Sequence, residues 1–396
     1  MVHARSFRLM LAGVAFACLG SNAFALDGAD VVAKFNAANA VSGATVGYGS
    51  VDVSGSTVTL KGAKVTMTGQ PEALEIGDVT LSGVSETAGG GYRIETVALP
   101  DVDKAKDGMR VTVGDIVFGG VTVPAQATNA SLDTMLLYDR TSTGPIRVTV
   151  KDREVFSATG TTATMSRQAS GNGVDFDAAL SGIKADLSGV EDPKAKDAIQ
   201  KLGLQTLSGK VTAKGSWELD SGTIALDEYA FDFADVGRLN LELAISGYTL
   251  KFVQALQDAV KAAEANPNKE QANQAMGLAM MGLMQQLTFN GAAIRFDDAS
   301  LTKRVLDYVG GQQGVSGDQL AQSLKGLVPI MIAQLQLPEL QNQLTTAANA
   351  YLDQPKSLTV RAAPPSPVPF PMIAGAAMGA PRTLPGVLGV TVTAND

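Results

Sequence analysis

Histidine and cysteine are nearly absent from this chain. His3 and Cys18 are the only ones, and both fall within the first 25 residues. Beyond residue 25 there is therefore no Ser-His-Asp or Cys-His nucleophile system, and no zinc site built on imidazole or thiolate. There is no disulfide either, so the fold must be held by burial rather than by cross-links. Basic runs are also missing: 31 Lys and Arg stand against 39 Asp and Glu, a net charge of −8. An acidic chain without a basic cluster speaks against nucleic acid and against electrostatic attachment to anionic lipid. The longest apolar run after residue 25, "AMGLAMMGLM", is about half the length of a membrane span. No Walker-A or G-x-G-x-x-G loop opens a helix after a strand.

What is present begins with an address. "MVHARSFR" places Arg5 and Arg8 ahead of the apolar run "LMLAGVAFACLG", and "SNAFA" ends with Ala23 and Ala25 in A-x-A spacing. These are the three parts of a cleavable secretory signal peptide, with cleavage expected after Ala25 and a periplasmic destination. Cys18 could instead be read as a lipoprotein cysteine, but Ala15 and Phe16 stand where a large aliphatic and a small residue are usual. Removing Arg5 and Arg8 with the leader takes the charge to 29 − 39 = −10. The hydrophobic content, 45% of residues, is ample for a large core.

Residues 26–248 read as a β-rich body. "SVDVSGSTVTLKGAKVTMTG" sets Val51, Val53, Val58, Leu60, Val65 and Met67 on one side of an extended chain, with Asp52, Ser54, Thr59, Lys61, Thr66 and Thr68 on the other. Similar alternation recurs up to "RLNLELAISGY", bounded by Gly, Asp, Ser or Asn, and one wet face per strand implies antiparallel sheet. "IGDVTLSGV" (Ile76 to Val84) and "VGDIVFGGV" (Val113 to Val121) echo one another, with Gly77/Gly114, Asp78/Asp115 and Gly83/Gly120 identical. "TLKGAKVTMTG" at Thr59 and "TLSGKVTAKG" at Thr206 form a looser pair. Uneven spacing excludes a solenoid.

From Thr249 the period lengthens to that of a helix, giving a helical block over 249–352 interrupted by one strand at about 287–297. Phe252, Leu256, Ala259, Val260 and Ala263 form a stripe that stops at Asn266-Pro267. Asn268 with Gln271, and Ser316 with Gln319, read as capping boxes. Pro329 is expected to kink or divide its helix, and Pro338 suits a first turn. Residues 353–396 read as the strand "SLTVRA", a polyproline-like strap "APPSPVPFP" and a terminal strand returning to the β body. The fold class is α+β: a large, strongly curved antiparallel sheet or groove with a C-terminal helical block.

Few residues suggest chemistry. Ser300 and Lys303 form S-x-x-K at a helix start, and Ser170-Gly171-Asn172 supplies S-x-N, but in the wrong order and without K-T-G. Asp297-Asp298, Asp101 with Asp103, and Asp175 with Asp177 could serve a carboxylate hydrolase or bind calcium, yet each also suits a helix cap or the wet face of a strand. Met276, Met280, Met281 and Met284 cluster within three turns, as candidate ligand-binding residues. Methionine is flexible and polarizable and suits surfaces that fit varied apolar partners, although it also fills gaps in cores. No cofactor or metal is implied.

The long alternating strands from Val51 to Tyr248, with small residues and a late helical block, resemble the AsmA-like proteins of the Gram-negative envelope. The stretch "DDASLTKRVLDYVGGQQGVSGDQL" with "KSLTVRAAPPSPVP" resembles the C-terminal part of uncharacterised periplasmic proteins of this general kind. The AsmA-like resemblance implies repeating β-structure forming a groove for lipid, and carries no individual residue across. The expectation is a non-enzymatic periplasmic protein that binds a lipid or other apolar ligand, or an envelope protein partner. An envelope structural or assembly factor with a packed core, and a His-free carboxylate hydrolase, are the alternatives.

Overall fold

A computed structural model describes residues 26–39, 43–67, 72–128 and 131–396; the expected signal peptide lies outside the described residues. Helix α1 (Gly28–Asn39) comes first, followed by strands β1 (Ala44–Gly47), β2 (Ser50–Ser54), β3 (Thr57–Met67) and β4 (Leu74–Glu86). Next come β5 (Tyr92–Leu99), β6 (Val102–Lys106), β7 (Met109–Val113), β8 (Ile116–Val123), β9 (Leu137–Ser142) and β10 (Ile146–Val150). They are followed by β11 (Arg153–Ala158), β12 (Gly160–Arg167), β13 (Gly173–Asp186), helix α2 (Pro193–Lys201), β14 (Thr206–Glu218), β15 (Thr223–Phe233) and β16 (Gly237–Ser246). Helices α3 (Leu250–Ala265) and α4 (Lys269–Met284) precede β17 (Thr288–Asp298), and α5 (Leu301–Gln312), α6 (Gly317–Leu335) and α7 (Pro338–Asp353) follow it. The last elements are β18 (Ser357–Ala362), β19 (Val368–Pro369), α8 (Phe370–Gly379), α9 (Leu384–Val387) and β20 (Val390–Ala394).

All twenty strands belong to one antiparallel sheet that does not close. Its topology is simple once strands lying end to end are joined. The pairs β1/β2, β5/β6, β7/β8, β9/β10, β11/β12 and β18/β19 each share one lane, so twenty strands fill fourteen lanes. Those lanes follow chain order from β1/β2 at one edge to β20 at the other. The α3–α4 hairpin is an excursion between the neighbouring lanes β16 and β17, and α5–α7 an excursion between β17 and β18.

A crease crosses seven successive lanes. It runs through Gly62 and Gly77, the break at Pro100-Asp101, Gly114-Asp115, Thr143-Gly144, Thr159-Gly160 and Gly182, with positive φ at Gly62, Gly77, Asp115, Gly160 and Gly182. Asp78 accepts from Gly62 N–H at 2.9 Å and Asp101 from Asp115 N–H at 2.9 Å, so side chains replace ladder bonds where the ladder fails. Bulges of this kind bend strands and increase their twist, which curves the sheet.

The buried core is off-centre. Val31, Val32 and Phe35 of α1 pack on Val58, Leu60, Val79, Leu81, Ile94 and Val121. Gly28 sits so close to the sheet that a Cβ there would lie 2.7 Å from the Val51 side chain. Tyr92 Oη donates to the Asp30 carboxylate at 2.6 Å and Lys34 to the same group at 2.5 Å, tying the helix down. Helix α1 thus covers Val58 and Leu60 and part of Val51 on the apolar side of the stretch from Ser50 to Met67, while Val53 and Met67 remain exposed.

Both sheet edges are guarded. Asn36 bonds both the N–H and the C=O of Val46 at 2.8 Å, occupying the outer edge of β1. At the opposite edge α7 lies along β20, where Gln343 Oε1 accepts from Val392 N–H at 3.2 Å and Asn395 donates to Ala350 O at 2.9 Å. Exposed strand edges invite pairing with other chains, and side chains placed this way block it.

The helical block forms as its caps specify. Asn268 accepts from Glu270 and Gln271 N–H at the start of α4, and Ser316 with Gln319 forms the reciprocal box of α6. Pro338 opens α7, and the intervening strand spans Thr288–Asp298. Helices α1, α2 and α8 were not read from the sequence: the first two lie within the β-rich body, and α8 begins at the end of the proline strap. Pro329 lies inside α6, which continues through it to Leu335 and so is not divided there.

Candidate functional site

Residues directly opposite one another in a ladder point to the same face of the sheet. One register row can therefore be followed across the whole molecule. It reads Val53, Val58, Leu81, Val97, Phe118, Thr141, Ala163, Ala178, Ala213, Tyr229, Leu241, Ile294, Val360 and Val392, one residue per lane. Thirteen of these are apolar or aromatic and only Thr141 is not. The adjacent row begins Asp52, Thr59, Thr80 and ends Asn240, Arg295, Thr359, Thr393. One face of the sheet is apolar from edge to edge; the other is mostly polar, although Ala98, Val117, Ala179 and Ala230 interrupt it and Ala230, Asn240 and Thr359 are buried there.

Ion pairs stand on the wet face: Lys61–Asp78 at 2.8 Å, Lys214–Asp177 at 3.5 Å, Arg238–Glu228 at 2.9 Å and Arg361–Glu242 at 3.4 Å. All are substantially exposed, so they contribute little to stability. They make that face soluble.

The apolar face is covered unevenly. Helix α1 buries its first lanes, and Val392 is buried at the β20 edge. Between these ends, among the described residues, no helix packs broadly over the lanes from β9 to β17. Tyr229 is 36% exposed, Leu243 42%, Ile294 52% and Val360 41%. In the middle lanes the row narrows to Ala163, Ala178 and Ala213, between Phe118 on one side and Tyr229 on the other. Small side chains flanked by large ones leave a shallow trough.

The α3–α4 hairpin is rooted at one end of this face. Trp217, the chain's single tryptophan, is opposite Val174 and Ile224 in the next row group, and donates from Nε1 to Tyr248 O at 2.9 Å. Tyr248 meets Trp217 edge-on at 6.0 Å and Phe252 at a tilt at 5.0 Å between ring centroids, and Phe252 is buried. Beyond this root the two helices pack chiefly on each other.

Of the four methionines singled out in the sequence, Met276, Met280 and Met284 form one stripe of α4. Met280 is 38% exposed, Met284 42% and Met281, on a different side of the helix, 62%. Ala272 and Leu283 are the buried positions of α4. Met280, Met281 and Met284 are thus presented to the outside of the hairpin, whereas Met276 is half-buried on the side of Ala272 and Leu283.

The polar candidates are committed elsewhere. Ser300 Oγ donates to Asp235 O at 2.6 Å, while Lys303 pairs with Asp307 at 2.9 Å, one helical turn on. That carboxylate holds the Lys303 ammonium above its usual pKa, the opposite of what a general base requires. Asp298 accepts from Thr302 N–H and Oγ1 at 2.8 and 2.9 Å and caps α5, and Asp297 pairs with Arg295 at 2.9 Å. Asp103 pairs with Arg110 at 2.5 Å, and Asp175 accepts from Gln168 at 2.9 Å. Ser170 Oγ accepts from Asn172 N–H within a turn. Among the described residues no cluster of His, Cys, Asp or Glu is placed to hold a metal ion.

The sequence pointed to alternation strand by strand, but the unbroken row could not be read from it, because the row depends on register between lanes. The three alanines give no signal in isolation. Among the described residues no helix is long and apolar enough to cross a membrane. No curated protein matches the chain. A protein-family model described as "Uncharacterized protein" matches residues 230–395, from within β15 to β20, and the chain is similar to that family over this part.

Proposed function

We propose that this is a non-enzymatic protein of the bacterial periplasm that binds a lipid or another apolar ligand along the apolar face of its sheet. The observation that carries the reading is the fourteen-lane register row and its uncovered middle. An apolar face this wide, left open in water, is a binding surface or an aggregation hazard, and the guarded edges argue for the former. The alanine trough between Phe118 and Tyr229 offers room for acyl chains, and the methionines of α4 supply an adaptable cover at the Trp217 end. The export signal and the AsmA-like style of the strands agree with a role in the envelope.

Trp217 provides a direct test. Titration with a brominated fatty acid should quench its emission in a saturable way, and native mass spectrometry of protein taken from cells, followed by solvent extraction, should show a stoichiometric lipid. A clean apo mass with no quenching would overturn the reading and favour the assembly-factor alternative.

A further inference from the structure

Helix α8, "FPMIAGAAMG", has no polar side chain on any side; Phe370, Ile373 and Ala376 are half-buried along one side, and every other residue of the helix is exposed. Met372 is 59% exposed and Met378 84%, and a Cβ on Gly375 or Gly379 would meet nothing within 4 Å. No charged residue occurs from Ala362 to Pro381, a stretch that ends at Arg382. A helix apolar all round belongs in a core or in lipid, and here no core surrounds it.

We infer that α8 is a membrane-docking element that inserts into one leaflet of a lipid bilayer. The open side takes in Pro371, Met372, Ala374, Gly375, Ala377 and Met378, wider than the single stripe that a protein groove receives. The acyl boundary of a leaflet can take up the whole of such a face. Ten residues rise about 15 Å, roughly half the hydrocarbon thickness, so α8 enters without spanning.

The position of α8 ties it to the apolar face. The row Val174, Trp217, Ile224, Ile245, Phe289 and Val368 runs along one end of that face, and the chain enters α8 two residues after Val368. Phe370 N–H donates to Leu287 O at 3.1 Å, just past the end of α4. A bilayer holding α8 would lie at the end of the face, where a lipid could pass between the two. This purpose rests on the lipid reading above, whereas attachment itself does not.

Flotation with phosphatidylcholine vesicles tests it. The protein should rise with the vesicles equally at low and high salt, since an acidic chain attaches here by insertion rather than by charge. Met372→Asp with Met378→Asp should reduce the floated fraction at least tenfold while circular dichroism, urea midpoint and Trp217 quenching by dispersed fatty acid stay unchanged. In the chain beginning at Leu26, which has no other cysteine, Met378→Cys carrying an environment-sensitive dye should shift to the blue on vesicles and be quenched by bromolipid. Wild-type protein left at the bottom of the gradient, an unshifted dye, or a double variant that floats as well as the wild type would overturn the inference. So would a wild-type dimer that the double variant dissociates without any flotation in either. Flotation without Trp217 quenching would keep docking and remove the lipid-binding face; quenching without flotation would do the reverse.

Discussion

Gly83 and Gly120 stand on either side of Glu95, in the two lanes that flank β5, and both adopt a left-handed backbone with φ of +64° and +62°. They are the matching glycines of the two echoing segments, so that echo has a structural cause. A Cβ on Gly83 would lie 2.6 Å from the Glu95 side chain, and one on Gly120 would collide with the Arg93–Asp139 pair. The looser echo lacks this basis: Gly62 has φ of +58°, and Gly209 is not in the left-handed region.

Alanine at Gly83 or Gly120 should therefore destabilise the protein by about 1–3 kcal/mol each, measured as a shift in urea unfolding. Gly89→Ala, in a turn with open space around it, should stay within about 0.5 kcal/mol. Equal effects at all three positions would show that the paired bulges carry no special strain.

Ile294→Asp and Val360→Asp place charge in the open part of the apolar row. Each should lower fatty-acid affinity at least tenfold by Trp217 quenching, yet cost no more than about 1 kcal/mol of stability, because both side chains already face water. Arg361→Ser, one residue along on the wet face, should leave uptake unchanged.

Met280→Asp addresses the hairpin. Uptake should fall while the sheet unfolds at the same urea concentration. Leu283→Asp, at a position only 4% exposed, should instead melt helix visible by circular dichroism. If Met280→Asp leaves uptake intact, the hairpin is not part of the binding surface.

The acid limb of stability should depend on Asp396. Its carboxyl accepts from Thr393 Oγ1 at 2.6 Å, from Arg295 at 2.8 Å and from Ser357 at 3.2 Å; these bonds, that from Thr393 foremost, outweigh desolvation and hold its pKa down to about 2. A carboxylate depressed in the folded state stabilises it fully above the ordinary value near 4, and that contribution disappears as pH falls from about 4 to 2. Both Asp396 and Arg295 are partly exposed, so the amount is at most about 1 kcal/mol. Urea midpoints at pH 5 and pH 2.5 should differ less in Arg295→Met than in the wild type.

Local signals carried much of this architecture. Asn268, Ser316 with Gln319, and Pro338 mark helix starts through bonds made within one turn, so sequence spacing suffices to find them. Alternation likewise reveals which residues of β3 or β16 share a side. Helix α1 was missed because Val31 and Val32 favour strands in isolation, and its helical state depends on packing over Val58 and Leu60. Helix α8 was missed because a segment without polar residues has no period to read, and Pro369 and Pro371 suggest an extended strap. The register row needed thirteen pairings between lanes, none of which a single strand specifies.

Lane order and chain order coincide in this sheet, and that makes its width a heritable length. Inserting or deleting one up-and-down pair of strands would change the apolar face by about 10 Å while leaving every other neighbour in place. Contacts between segments adjacent in sequence also close at low entropic cost, so the sheet can extend from its α1-covered end as chain becomes available. A fold of this design can be lengthened by duplication without relearning how to fold.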